Sequence, residues 1–455
     1  MYVADSRATP ASATEEGAAR TTRAGRRRFT VAPTVFALGS VSLITDVSSE
    51  MVTAVLPLYL VVGLGLSPLG FGLLDGVYNG VSALVRLVGG HLADRGGRHK
   101  LVAGLGYGLS AVCKPLLLLA QSLPLIGLVL AADRTGKGLR TAPRDALISL
   151  SCEPAQRGRA FGVHRAMDTA GALLGPLAAF LILRATVDGY DAVFTVSFCV
   201  AVVGVVVLVL FVPPREAAPH TRPDREQLDR ERPDRKRPDR KRPDRERPTL
   251  RAAVALLRGR PLRRITVCAL LLGLATVSDS FVFLLLQRRL GVPERWFALL
   301  PLGTAAAFLL LAVPLGRLAD RWGGWRVFLC GHGALLAAYG LLLSGWHGSA
   351  FPYAVLLLHG AFYAATDGVL MAAASESVPA ALRSSGLAVV QTGQALARFA
   401  CSIAFGAAWT AWGDRAALSG AAVALAGCAA VATVLRPSSA SRSTSRSALT
   451  SKASA

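Results

Sequence analysis

Charged residues are scarce in this 455-residue chain, where they make up 17% of the positions. A soluble protein carries about a quarter of its residues as charges. Because 53% of the residues are hydrophobic, the composition excludes an ordinary soluble fold and indicates burial in lipid. Acidic residues are scarcer still, 28 against 50 Lys and Arg. The positive excess lies between apolar segments and in the tails, which indicates membrane topology rather than nucleic-acid binding.

Several chemical signatures are also missing. The seven cysteines form no C-x-x-C pair, so we expect neither a disulfide framework nor a zinc site. The nearest approach to a phosphate loop is Gly136-Lys137, with Ala131 in place of the first glycine, and no H-E-x-x-H motif occurs. We therefore expect neither an ATP-driven pump nor an enzyme, and no cofactor or metal. The N-terminal segment lacks the apolar core of a cleaved signal peptide, so the first span is expected to direct insertion.

Apolar stretches long enough to cross a bilayer, about 17 to 25 residues each, recur twelve times along the chain. Isolated strands would leave backbone groups unpaired in lipid, so each stretch is predicted to be a helix. The predicted spans are 33–62, 68–92, 100–120, 123–147, 158–184, 190–213, 264–287, 295–318, 325–345, 351–376, 384–411 and 415–435. Spans 4 and 10 are interrupted by polar residues and are the weakest of the set.

The charges of the loops predict the orientation. Lys and Arg residues follow the even-numbered spans, whereas the alternate connections contain few, chiefly Arg288, Arg289 and Arg295. The basic residues after even-numbered spans include Arg95, Arg98, Lys100, Arg157, Arg159, Arg321, Arg326 and Arg383. Basic loops stay on the cytoplasmic side, so we expect a multi-pass protein of the plasma (inner) membrane with both termini in the cytoplasm.

Polar segments flank and divide the apolar part of the chain. Between the sixth and seventh spans the unit Arg-Pro-Asp-Arg-Lys repeats from Arg232 onward. The regular prolines prevent a helix and little is apolar, so we expect a disordered linker; contact with anionic lipids is the alternative. The predicted organisation is a disordered cytoplasmic N-tail at 1–32, a six-helix half at 33–213, a basic cytoplasmic linker at 214–263, a second six-helix half at 264–435 and a disordered cytoplasmic C-tail at 436–455.

The two halves resemble each other. The stretch Gly90–Gly97 matches Gly316–Gly323, which lies 226 residues later, and the same offset carries Arg157 onto Arg383. Equal spacing at two separate landmarks indicates duplicated halves. Such repeats are typical of secondary transporters, whose solute site lies between the halves near the midplane. The predicted fold is therefore an all-α membrane protein of twelve transmembrane helices in two pseudo-symmetric six-helix halves.

One loop motif resembles the signature of the Major Facilitator Superfamily, G-x-L-a-D-r-x-G-r-k, which joins spans 2 and 3. It stands here as Gly90, Asp94, Arg95, Gly97 and Arg98, with Leu92 and Ala93 also matching. A weaker echo follows span 8 at Asp320 and Arg321, and it departs from the pattern at Gly324 and Trp325. The resemblance implies that these residues latch one transport conformation at the cytoplasmic side. Simple positive-inside anchoring is the alternative.

Spans 4 and 5 carry partial matches to further signatures of this superfamily. Span 4 resembles R-x-x-x-G-x-x-x-A at Arg134, Gly138 and Ala142. Span 5 resembles the G-x-x-x-G-P signature of the drug–proton antiporter branch from Gly171 to Pro176, without its trailing glycines. The second resemblance implies proton-coupled efflux. Helix packing by small residues is the alternative.

Ionisable residues inside a membrane cost about 2.5 kcal/mol or more, so those that counting in from the span ends places near mid-depth are candidates for function. They are Asp46, Glu50, Asp75, Asp133, Arg134, His164, Arg165, Asp168, Asp279, Asp367 and Arg398. For each, an internal ion pair that holds the bundle together is the alternative. Arg165 with Asp168, and Arg134 with Asp133 or Asp46, are the pairs that the sequence suggests.

The carboxyl groups of Asp46 and Glu50 are harder to explain as structure. They lie four residues apart and so share a helix face, and two carboxylates in a low dielectric are not both ionised cheaply. We therefore hypothesise that Asp46, Glu50 or Asp168 binds a coupling proton, and that Arg134 senses the change in charge. Asp75, Asp133, His164, Arg165, Asp279, Asp367 and Arg398 are assigned to the substrate or charge network.

The function that follows is secondary active transport of a small solute by alternating access, coupled to protons and directed outward. Proton-coupled uptake is one alternative, and a non-transporting receptor or scaffold on a transporter fold is another. A lipid flippase, with a cavity open sideways to the bilayer, is a third. The expected partners are the solute, protons and the bilayer, with no nucleic acid, and the chain is expected to be a monomer.

Overall fold

The computed structural model describes residues 32–96, 99–152, 157–187, 189–213, 256–291, 293–346, 348–367 and 383–435, together with residues 370, 374 and 378. Within these ranges all the regular secondary structure is helical. This confirms the all-α part of the predicted fold. The two tails and most of the basic linker, with the predictions made for them, lie outside the described residues.

In the described part of the chain, six long helices precede the linker. They are α1 (Pro33–Leu58), extended by one π-helical turn at Tyr59–Gly63, α2 (Pro68–Gly96), α3 (His99–Leu119), α4 (Leu123–Leu150), α5 (Arg157–Ala185) and α6 (Gly189–Phe211). Proline stands in the first turn of α1 and α4, where its missing N–H costs no hydrogen bond. The observed bounds agree with the predicted spans to within a few residues.

The helices after the linker are less regular. They are a 3₁₀ turn (Leu256–Arg258), α7 (Arg260–Ala275), α8 (Asp279–Leu290), the short α9 (Glu294–Phe297), α10 (Leu299–Trp322), α11 (Gly324–Leu343), α12 (Phe351–Thr366) and α13 (Arg383–Val434). Gly413 has φ +85°, a conformation that L side chains rarely adopt, and it divides α13 into two arms. These arms correspond to the predicted spans 384–411 and 415–435.

The predicted seventh span, 264–287, is not one helix. It is broken at residues 276–278, between α7 and α8. At the break the backbone N–H of Val277 donates to the hydroxyl of Tyr339 in α11, at 2.9 Å. A side chain distant in sequence thus satisfies the backbone group that the broken helix leaves free, as a membrane interior requires.

Eight helical segments among the described residues are long and apolar enough to cross a membrane. Two long helices, α2 and α4, fall outside this set because polar and charged side chains interrupt them, and α12 has only 16 residues. Large apolar side chains such as Leu119, Leu310 and Val423 are about three-quarters exposed on the outer surface, where lipid would cover them. The count of twelve crossings stays a prediction.

The packing places α4 against α1, α2, α3 and α5, and α1 against α5 and α6. Helix α13 packs against α2, α7 and α11, while α10, α11 and α12 pack on one another. Polar faces of α1, α2, α4, α7, α12 and α13 therefore turn toward the interior of the bundle, where the candidate site lies.

Candidate functional site

A cavity of about 610 Å³ lies in the middle of the bundle, between α2 and α4 on one side and α7, α11, α12 and α13 on the other. Its volume is in the range of small-molecule sites. Among the described residues, four charged side chains line it: Arg134, Lys137, Asp367 and Arg398. Three of these four were assigned from the sequence to the substrate or charge network, and the structure brings them together around one space.

Aromatic side chains close one end of the bundle, the end that carries residues 64–67, called here the first-loop end. The ring of Phe281 packs on the rings of Phe71, at 4.9 Å between centroids, and Phe405, at 4.8 Å. Trp409 packs on both Phe281 and Phe405. These four rings form the aromatic plug. They come from α2, α8 and α13, so the plug joins helices from before and after the linker.

Backbone contact reinforces the plug. The N–H of Leu69 donates to the hydroxyl of Thr410 at 3.0 Å. Gly72 faces the carbonyl oxygen of Ser402, and Gly406 faces that of Pro68, both too closely to admit a side chain. Phe328 and Gln391, which line the cavity, lie away from the plug, toward the ends at which α11 and α13 begin. The cavity thus extends from the middle of the bundle toward the end opposite the plug.

Three ion pairs connect α4 to α1 and α5. Arg140 lies 3.2 Å from Asp46, and Lys137 lies 3.4 Å from Glu50. One turn further along α4, Arg144 lies 3.5 Å from Asp168. The spacings of three, four and seven residues put all three cations on one face of α4. All three acids predicted to carry a proton therefore face this one row of cations, and each is paired with a different Lys or Arg side chain.

The carboxyl groups of Asp46 and Asp168 also interact with each other across the α1–α5 interface. Arg165, on the outer side, lies 3.7 Å from Asp168. Two neighbouring carboxyl groups repel each other when both are ionised, and protonation of one of them relieves this repulsion. The geometry therefore offers a proton site between Asp46 and Asp168, in addition to the pairing of Asp46 and Glu50 that the sequence suggested.

His164 completes this region. Its Nε2 lies 2.9 Å from the hydroxyl oxygen of Ser42, which also accepts from Arg144 at 3.1 Å. A hydroxyl can donate one hydrogen bond and accept two, so Ser42 donates to Nε2 of His164 in one imidazole tautomer and accepts from it in the other. The buried imidazole is thus linked to Asp168 through Ser42 and Arg144.

The small residues of α5 place it close to these acids. Gly171 contacts the backbone of Leu43 and the β-carbon of Asp46, and Gly175 contacts the β-carbon of Glu50. A side chain at either glycine would push α5 away from α1. The G-x-x-x-G-P stretch therefore brings α5 against α1 beside Asp46 and Glu50, two of the candidate proton acceptors. The stretch that resembles the antiporter signature thus also packs two helices together.

A second cluster of charged side chains lies between α3 and α4. Asp133 accepts from the Nε of Arg134 at 2.9 Å, from its Nη2 and from Ser110, and Lys114 lies 3.9 Å away. The guanidinium of Arg134 stacks over the ring of Tyr78 at 4.0 Å. All these groups are nearly fully buried except Tyr78. The pairing of Arg134 with Asp133 is one of the internal ion pairs that the sequence suggested.

A third cluster lies at the start of α8. Asp279 stands in the first turn of this helix, where the helix dipole stabilises a carboxylate. Its Oδ1 accepts from the hydroxyl of Tyr363 and lies 3.4 Å from Nε2 of the buried His359. The other ring nitrogen of His359 lies 3.3 Å from Thr304. The broken helix thus presents an acid to α12 beside the cavity.

Asp75 lies between helices from before and after the linker. It is 6% exposed, and its Oδ2 accepts from Ser402 of α13 at 2.7 Å. Among the described residues no basic side chain lies within ion-pair distance of it. The carboxyl group is therefore part of the contact between α2 and α13 beneath the plug.

Comparison with known proteins identifies the family. The sequence profile of the Major Facilitator Superfamily matches residues 38–402, with a second match over residues 300–453. This chain belongs to the Major Facilitator Superfamily. It is therefore a multi-pass membrane protein of a family of transporters, and the resemblance seen in the loop motif is confirmed.

Relatives and solved structures agree with membership of the superfamily. An uncharacterized MFS-type transporter of Methanocaldococcus jannaschii is 27% identical over 389 residues, covering 82% of this chain and 88% of that protein. The nucleoside transporter NupG has the same fold, with a TM-score of 0.70 at 12% identity over 88% of this chain and 98% of that one. A bacterial homologue of the lysosomal transporter Spinster, inward-facing and unoccupied, gives 0.69 at 15% identity over 88% and 96%.

The signature loop of the superfamily is only partly described. Gly97 and Arg98 lie outside the described residues, and the side chains of Asp94 and Arg95, next to Gly90 in the same helix, are not described. In the echo, Asp320 and Arg321 are exposed in the last turn of α10, at the end opposite the plug. The latch assigned to these residues stays a prediction.

Several site residues were not found from the sequence. Lys114, Arg140 and the partly buried Arg144 are partners of the acids, and His332, His359 and Tyr363 lie in or beside the cavity. For α4 a signal existed, because Arg134, Lys137, Arg140 and Arg144 recur at helical spacing. For the aromatic and histidine residues of α11 and α12, whose sequence reads as an ordinary apolar helix, no comparable signal exists.

Proposed function

We propose that this chain is a secondary active transporter that moves a small solute by alternating access, with twelve crossings in two six-helix halves. The single observation that carries the proposal is the cavity, because charged side chains from both sides of the linker reach it. Arg134 and Lys137 come from α4, and Asp367 and Arg398 come from the helices after the linker. A solute bound there would contact both halves, so its binding would depend on how the halves are tilted.

The plug supports alternating access. With the first-loop end on the periplasmic side, as the basic loops predict, the cavity faces the cytoplasm and the plug separates it from the periplasm. Release to the other side requires the plug rings of Phe71, Phe281, Phe405 and Trp409 to part. The loop residues Gly90, Asp94, Arg95, Gly97 and Arg98, with Asp320 and Arg321, would then hold the cytoplasmic end closed.

The row of ion pairs on α4 supports proton coupling. A proton on Asp46, Glu50 or Asp168 neutralises the carboxylate that holds the facing Lys or Arg side chain. The released positive charge is then attracted to a solute or to another carboxylate. Lys137 faces Glu50 and also lines the cavity. Protonation of Glu50 would therefore change the charge that a bound solute meets, which links proton and solute occupancy.

Reconstituted vesicles test the proposal and its direction together. The purified chain is placed in liposomes that are acidic inside and bathed in a cell metabolite extract, and the contents are followed by mass spectrometry. A proton antiporter accumulates its solute in these vesicles, whereas a proton symporter keeps it out. We expect accumulation, which supports efflux in a plasma membrane whose outer side is acidic. Accumulation of the solute that does not depend on the pH gradient would contradict proton coupling.

Variants then locate the proton. Asp46→Asn, Glu50→Gln and Asp168→Asn each remove one candidate acceptor, and Asp191→Asn in the exposed first turn of α6 is the matched control. We expect gradient-driven accumulation to fall to the level of empty vesicles in at least one of the three variants and to persist in the control. Full activity in all three variants would end the assignment.

A further inference from the structure

The charges that line the cavity are not equally satisfied. The guanidinium of Arg134 is held by Asp133 and stacked on Tyr78, and Lys137 pairs with Glu50 at 3.4 Å. Arg398 faces the same space, and among the described residues no acceptor lies within hydrogen-bond or ion-pair distance of it. A partly buried, unpaired guanidinium carries a desolvation cost that a bound anion would offset.

The nearby acids do not supply that anion. Asp279 is within electrostatic reach of Arg398, but its Oδ1 is engaged by Tyr363 and His359. Asp367, which follows α12, also acts on Arg398 through its charge, but it is exposed and does not lie within ion-pair distance of the guanidinium. Among the described residues that line the cavity, none therefore forms a direct ion pair with Arg398.

The face of α13 around Arg398 carries hydrogen-bonding groups. Gln391 and Gln394 also line the cavity, and Gln394 lies one turn before Arg398, so the three side chains share a helix face. An amide beside a guanidinium can donate to an oxygen of the same acid group. This arrangement suits a planar acid group held by two or more donors.

The wall beside α13, formed by α7, α11 and α12, is largely aromatic and apolar. The rings of Phe328 and His332 pack at 4.7 Å between centroids, and those of His332 and Phe362 at 5.3 Å. All three line the cavity, as does Leu272 of α7. Such a wall fits the apolar body of a small molecule whose charged end lies at α13.

We propose, on the basis of the transport function above, that the solute is a small organic acid with one carboxylate on Arg398 and an apolar body against Phe328, His332 and Phe362. A single unpaired cation matches a monoanion, whereas a phosphate carries up to two charges and would call for a second free base. The carboxylate accepts from the guanidinium in the two-pronged geometry that Arg provides and Lys does not.

Binding, measured without any gradient, tests the substrate class. The purified full chain is titrated calorimetrically with benzoate, phenylacetate and isovalerate, each beside its neutral amide, and with benzylamine and phenyl phosphate. We expect at least one acid to bind about tenfold or more tightly than its amide. The proposal is wrong if no acid exceeds its amide, or if benzylamine or phenyl phosphate binds most tightly.

Variants of Arg398 identify the anchor. Arg398→Gln should weaken binding of the acid about tenfold or more and bring it to the affinity of the amide, whose own binding should not change. Arg398→Lys keeps the charge and guards against misfolding, and it should bind with intermediate affinity. Arg317→Gln, on the exposed surface of α10, is the matched control. Unchanged affinity for the acid in a folded Arg398→Gln protein would overturn the assignment.

The two proposals fail in different ways. If the acids do not bind but vesicles accumulate another compound along the pH gradient, transport stands and the substrate class is wrong. If the acids bind through Arg398 but no gradient moves them, the site stands and proton-coupled transport is wrong.

Discussion

At the scale of single residues, the pair of Arg140 and Asp46 is the most enclosed of the three ion pairs of α4. Their side chains are 3% and 13% exposed, whereas Lys137 and Glu50 are 27% and 26% exposed. Removing one member of a buried pair leaves the other charge without compensation, which costs about 3–5 kcal/mol. We therefore expect Arg140→Gln to lower the free energy of unfolding in detergent by about this amount, and Lys137→Gln by about 1 kcal/mol or less.

A double variant separates the ion pair from general damage. In Asp46→Asn/Arg140→Gln both charges are gone, so most of the loss caused by Arg140→Gln should be recovered in denaturant titrations. If the double variant is as unstable as the sum of the two single variants, the two side chains are not coupled in the folded state.

The sequence could predict the partners that lie close along the chain, but not those brought together by packing. Arg134 pairs with its neighbour Asp133, and Arg165 with Asp168 one turn away, as helix geometry suggested. Asp46 pairs with Arg140, 94 positions later. That pairing depends on how α1 and α4 are rotated about their axes, and a single sequence of mostly apolar helices does not fix that rotation.

At the scale of helices, α2 and α13 meet where neither has a side chain. A β-carbon at Gly72 would overlap the carbonyl oxygen of Ser402 and crowd Gly406. We expect Gly72→Ala to destabilise the protein by about 1–3 kcal/mol, because backbone cannot give way as a flexible side chain can. Gly108→Ala in α3 is the control: a β-carbon there meets nothing within 4 Å, so helix propensity should make it neutral or stabilising. The test is to compare the thermal unfolding midpoints of the Gly72→Ala and Gly108→Ala proteins in the same detergent. Equal midpoints would contradict close packing of α2 on α13.

The break between α7 and α8 depends on one hydroxyl. Tyr339 is fully buried and accepts the N–H of Val277. Tyr339→Phe leaves that N–H without a partner in an apolar interior, so we expect a loss of about 1–3 kcal/mol of unfolding free energy. Tyr353→Phe, at a residue that is 74% exposed, should change nothing measurable. If Tyr339→Phe leaves the free energy of unfolding unchanged, the break is stabilised by other contacts.

Helix positions were predictable from the sequence, but this break was not. Length, apolar content and the prolines at Pro33 and Pro68 locate the helices to within a few residues. Residues 276–278 read Thr-Val-Ser, without proline or glycine, so nothing local interrupts the predicted span. The hydroxyl that makes the break tolerable comes from Tyr339, 62 residues further along the chain.

At the scale of the whole molecule, the count and direction of the crossings can be measured. If the basic loops are cytoplasmic, an alkaline phosphatase reporter fused after Arg235 in the linker should be inactive, and one fused after Gly348 should be active. Twelve crossings with both termini inside require this pattern and an inactive reporter at the C-terminus. An active enzyme in the linker would reverse the assignment of the cavity to the cytoplasmic side.

The aromatic plug gives the last prediction. The N–H of Leu69 and the hydroxyl of Thr410 lie 3.0 Å apart, which keeps the two α-carbons within about 7 Å, near the limit for a disulfide. In a variant with the seven native cysteines replaced, Leu69→Cys/Thr410→Cys should form a disulfide under an added oxidant and hold α2 against α13. Because alternating access needs these helices to part, oxidised vesicles should stop accumulating solute and reduction should restore the rate. Each single cysteine variant controls for the substitution itself. Continued transport by fully oxidised protein would show that solute leaves without the plug opening, so the two halves would not need to separate at this end.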